Sequence, residues 1–119
     1  MKQLAKTKVT VRLRKAEDRE EWYVYIESYP VEVSGKKTPQ RIREYLNRTV
    51  KTVEWDKQRT ARTDAQGIKS YKPRRSDNGI IITRSETDRE IMLYADGVRK
   101  IRQKEYDNID LYSDAENLL

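Results

Sequence analysis

The sequence predicts an α+β domain: a three-stranded antiparallel sheet packed on one face by a C-terminal helix, with a long basic loop before the helix. Three observations predict it. "KVTVRLRK" (8–15) and "WYVYIESY" (22–29) alternate apolar and polar residues at a period of two. "RIREYLNR" (41–48) resumes the alternation after a turn-rich connection. Beyond "SETD" (85–88) the apolar residues change to i, i+3, i+4 spacing, the period of a helix.

Residues 1–7 form a loose start. The first strand, 8–15, sends Val9, Val11 and Leu13 inward and Lys8, Thr10, Arg12 and Arg14 outward. "AEDRE" is a polar turn whose carboxylates (Glu17, Asp18, Glu20, Glu21) are solvated. The second strand, 21–29, sends Trp22, Val24 and Ile26 inward and Tyr23, Tyr25, Glu27 and Tyr29 outward. "PVEVSGKKTPQ" holds Pro30, Gly35 and Pro39, and reads as a longer connection. In the third strand, 41–48, Ile42 and Leu46 point inward while Arg41, Arg43, Tyr45 and Asn47 point outward. Glu44 fits that register poorly and suggests a bulge.

Residues 49–79 show no sustained period and read as a mobile basic loop around the anchor Trp55. "IIIT" (80–83) is a return strand or packed segment. The helix is expected over 86–106, capped by Ser85. Ile91, Tyr94, Ala95, Val98, Ile101 and Arg102 form its buried stripe. Gly97 costs about 1 kcal/mol there relative to alanine, and close approach of helix to sheet is the expected compensation. The domain is thus 1–104, with 105–119 a linker.

Composition removes several functions. There are no cysteines and no histidines, hence no disulfide framework, no thiolate metal site and no imidazole base. No apolar run approaches a bilayer's thickness and no signal peptide is visible, so a cytoplasmic protein without membrane or cofactor is expected. The charge is lopsided: residues 1–75 carry 20 Lys+Arg against 10 Asp+Glu, whereas residues 76–119 carry 6 against 10. That asymmetry suggests a polyanionic partner for the first part.

The helix leaves one sheet face uncovered. On it lie Lys8, Thr10, Arg12 and Arg14, then Tyr23, Tyr25, Glu27 and Tyr29, then Arg41, Arg43, Tyr45 and Asn47. Arginine and lysine bind phosphate and read guanine edges, and tyrosine supplies flat contact area and a hydroxyl. Duplex DNA is the partner these residues fit, with Lys72, Arg74 and Arg75 of "KSYKPRR" as a phosphate-gripping patch. Tyrosines also make good strand formers and cross-strand pairs. That accounts for each one singly, and less well for the Arg/Tyr combination across three strands.

The order of elements, with Trp55–Asp56 after the third strand and the stretches "YKPRRSDNGII" (71–81), "YADGVRKIRQ" (94–103) and "EYDNIDLYSD" (105–114), resembles the amino-terminal arm-type DNA-binding domain of tyrosine recombinases. The nearest likeness is to integrases of Bacteroidetes mobile elements. The resemblance implies a non-catalytic fragment of a recombinase that binds arm-type sites beside the attachment core. It also implies contacts with other recombinase protomers through core-binding and catalytic domains that this chain does not contain. Two alternatives remain: an RNA- or single-strand-binding module, and a protein-interaction domain with a tyrosine-rich sheet face.

Overall fold

The computed structural model describes residues 6–117, with side chains to 109. The elements run β1 (Lys8–Lys15), β2 (Trp22–Val31), β3 (Gln40–Val50), β4 (Trp55–Thr63), β5 (Lys69–Pro73) and α1 (Glu86–Asn117). β1, β2 and β3 form an antiparallel sheet in chain order, β4 and β5 form a separate two-stranded ribbon, and α1 packs on the three-stranded sheet. The α+β class and the three expected strands are therefore present. Among the described residues no helix is long and apolar enough to cross a membrane.

Alternation dictates the two faces as expected. Val9, Val11, Val24 and Ile26 are buried under α1, with Leu13, Trp22 and Leu46 packed at the margins. α1 contributes Met92 and Ala95 to this core, and the segment before it contributes Ile81. Ser28 also faces inward and is fully buried, yet its hydroxyl has no hydrogen-bond partner.

Five details depart from the expectations. First, the basic stretch 49–79 is not a structureless loop, because it contains the β4–β5 ribbon. The ribbon escapes a periodicity reading because most of its residues are exposed on both faces, so no apolar alternation marks it. Trp55 does anchor it, packing at a tilt of 52° against Trp22 with centroids 5.1 Å apart. "IIIT" is a packed segment, held by single bridges from Ile81 to Arg75 and from Thr83 to Val53.

Second, Glu44 is in register. It faces α1, where Arg102 donates to both its carboxylate oxygens at 2.8 Å. The bulge lies further on, where Leu46, Asn47 and Arg48 oppose Val24 alone and Asn47 takes a left-handed φ of 57°. Third, α1 runs well past 106, so the expected linker from 105 is helical as far as Asn117; residues 118–119 and the first five lie outside the described range.

Fourth, the buried stripe of α1 holds only in part: Ile91, Ala95 and Val98 pack on the core and Arg102 reaches Glu44 of the sheet as expected, but two positions differ. Asp88, Met92, Ala95 and Asp96 are buried, and Arg99, Arg102, Gln103 and Tyr106 continue that side, whereas Tyr94 and Ile101 are exposed. Fifth, Gly97 does not approach the sheet: it is exposed, and a Cβ there would meet nothing within 4 Å.

The helix start behaves as expected, with Asp88 N donating to Ser85 Oγ at 3.1 Å. The Asp88 carboxylate is used elsewhere. It accepts from the Lys51 and Thr52 amides at 2.9 and 2.8 Å and from the Thr52 hydroxyl at 2.6 Å, closing the end of β3 onto the helix. Burial opposes its charge, but these hydrogen bonds outweigh it and hold the carboxyl below the usual aspartate range.

Candidate nucleic-acid interface

The uncovered face is built from cross-strand rows. Register places Thr10, Glu27 and Arg43 in one row, and Arg12, Tyr25 and Tyr45 in the next. Lys8 lies opposite Tyr29, and Arg14 opposite Tyr23. Because β2 is central, its outward residues are flanked on both sides, and Tyr25 and Glu27 are only 9% and 5% exposed.

Glu27 is the hub of this surface. It accepts from Arg12 Nε at 2.6 Å, from Arg41 Nη1 at 3.2 Å and from Arg43 Nε at 3.2 Å. One carboxylate thereby arrays three half-exposed guanidiniums drawn from both outer strands. Burial pushes the Glu27 carboxyl up, but the hydrogen bond from Arg43 and the charges of Arg12 and Arg41 outweigh it, so its pKa is lowered and it stays ionised. The cluster keeps a net charge of +2.

The tyrosines are largely occupied by neighbours. Tyr25 and Tyr45 stack with centroids 4.9 Å apart and an interplanar angle of 32°. The Arg41 guanidinium lies 4.2 Å from the Tyr29 centroid, and that of Arg19 lies 5.7 Å from Tyr23. Arg14 Nη1 donates to the Tyr45 hydroxyl at 3.4 Å, and Arg19 Nη2 to that of Tyr23 at 3.1 Å. At this corner Arg14, Tyr23, Tyr45 and Asn47 line an open concavity of about 670 Å³ with Lys15 and the turn residues Glu17, Asp18 and Arg19. Asp18 and Glu20 are solvated and pair with Arg19 and Lys15, whereas Glu21 is largely covered, held between Arg19 and Lys51.

The second basic patch divides. Lys72 and Arg74 are exposed at the base of the ribbon. Arg75 is half-buried and structural: it donates to the Val11 carbonyl at 2.7 Å and the Gly79 carbonyl at 2.9 Å. Burial lowers its pKa, and the positive charges of Arg12 and Arg59 act in the same direction, so ribbon and sheet share one basic neighbourhood. Sequence reasoning missed this tie, as well as Gln103 of α1, whose side-chain amide accepts from Val9 N and donates to Thr7 O, both at 2.9 Å. Together these side chains cover the β1 edge.

Sequence reasoning also missed Arg59 and Lys57 of β4, exposed beside the patch, for want of any periodic signal. No family model, curated protein or solved structure matches the chain.

Proposed function

We propose that the open sheet face binds double-stranded DNA in the major groove, as a non-catalytic module acting in the cytoplasm. The observation that carries this reading is the Glu27-centred array: three guanidiniums gathered on one carboxylate of the open face beside paired tyrosines. Arginine fixed by a carboxylate loses little freedom on meeting a base edge or phosphate, which favours defined contacts. Three strands about 4.8 Å apart are roughly 10 Å across, a width suited to a groove of about 12 Å. The resemblance noted in the sequence narrows the site class to the arm-type sites of a recombinase.

Occupancy of the rings favours duplex over single strands. Base stacking needs free aromatic faces; Tyr25 is buried and one face of Tyr29 lies under Arg41, while Tyr23 and Tyr45 are 36% and 43% exposed and engaged by Arg19 and Tyr25. A protein partner would also fit a tyrosine-rich surface, and an acidic one would suit the net positive charge of the Glu27 cluster; binding that survives high salt would favour it.

The test is duplex binding followed by fluorescence anisotropy across a salt series. With about four to six positive groups on phosphates, log K against log salt should slope at roughly −4 to −5. A slope near zero, or tighter binding to a single strand of equal length, would overturn the reading.

A further inference from the structure

Gly97 has no use in the single chain. It sits mid-helix on the solvent side of α1, where glycine is less favourable than alanine and a Cβ would touch nothing. It is also flanked by exposed apolar side chains: Leu93 and Ile101, four residues before and after it, are 60% and 63% exposed. Seven residues before and after it stand Glu90 and Lys104, both exposed and without an ion-pair partner among the described residues. At that separation, about 21 Å along the helix, the two cannot meet each other.

We propose that α1 pairs with α1 of a second copy, antiparallel, about a two-fold axis at Gly97. The pattern around the glycine is self-complementary under that symmetry, as an isologous contact requires. Leu93 meets Ile101 of the second copy, Glu90 meets Lys104, and Gly97 meets itself, where the missing side chains let the backbones close. Register is selected by charge. A slip of one residue in one direction sets Arg89 against Lys104, and in the other sets Glu90 against Glu105. The surface is small, so the pair is weak in free solution, with dissociation on the order of hundreds of micromolar. Two copies held on neighbouring DNA sites would meet at millimolar effective concentration.

Sedimentation equilibrium of the full chain without DNA tests this separately from the DNA reading. The wild type should pass from monomer towards dimer between about 10 μM and 1 mM. Glu90→Lys and Lys104→Glu each place like charges at both contacts and should weaken association about tenfold or more. An equimolar mixture of the two variants restores both opposite-charge pairs and should recover wild-type association to within about threefold. In a parallel pair the wild type would be as repulsive as either variant, so the wild-type result separates the two geometries. Gly97→Ala should raise Tm while weakening association. A wild type that stays monomeric at 1 mM, variants that associate unchanged, or a mixture that fails to recover would each overturn the proposal.

Discussion

Glu27 exemplifies how one residue sets the behaviour of several. Its carboxylate neutralises part of the charge that would attract DNA while fixing the arginines proposed to read it. Glu27→Gln should therefore bind random duplex at least as tightly as wild type, because one negative charge is gone, yet discriminate less well between a selected sequence and random DNA. Arg12→Ala or Arg43→Ala should erode discrimination by about 1–3 kcal/mol. Lys8→Ala and Lys72→Ala should weaken all sequences alike and flatten the salt slope by about one unit. Anisotropy titrations with both duplexes separate these outcomes. Ser28→Ala should leave stability unchanged or raise it by up to about 1 kcal/mol, since its buried hydroxyl has no partner to lose.

At the scale of elements, the joint between β3 and α1 rests on Asp88. Its pKa is lowered in the folded state, so its contribution is fully present above the unfolded aspartate value of about 4 and fades as pH falls through the lower folded value. Asp88→Asn should cost roughly 1–3 kcal/mol at neutral pH. That gap should narrow below about pH 4, measured by urea unfolding across a pH series. The ribbon makes a different prediction. Its backbone pairing is regular near Trp55 and Thr63, but β4 carries extra residues between Asp56 and Thr60. Amide exchange should be slowest beside the Trp22–Trp55 contact and fastest across Lys57–Arg59 and the turn at 64–67.

For the whole molecule, sheet, ribbon and helix divide the labour. The chain extends over 53 × 35 × 26 Å because α1 and the ribbon project from a small core. The net positive charge of residues 1–75 is carried by the sheet and ribbon, and the net negative charge of residues 76–119 mostly by the helix. This polarity would orient the molecule on a duplex with α1 away from phosphate and its Gly97 face open to a second copy. On the proposed reading as a binding module, the chain should form no covalent adduct with an attachment-site duplex, as judged by denaturing electrophoresis after incubation. A stable adduct would assign it a nucleophile.

The three-stranded sheet, its two faces and the Arg/Tyr surface were legible from residue order alone, because alternation at period two is a local property that survives wherever one face is buried. Ser85 as cap and Trp55 as anchor were legible for similarly local reasons. Other features depended on partners distant in the chain. Whether Glu44 was a misfit or a salt bridge turned on Arg102, 58 residues away. That Arg75 donates to a backbone carbonyl turned on Val11, 64 residues away. That Arg102 and Gln103 of α1 bond the sheet depended on partners far away in sequence, and the ribbon on backbone pairing that needs no apolar pattern. Local sequence carries periodicity and turn chemistry. The pairing of charges and the capping of edges are settled only when the folded chain brings those groups within hydrogen-bond reach, where an unpaired buried group is costly enough to choose the arrangement.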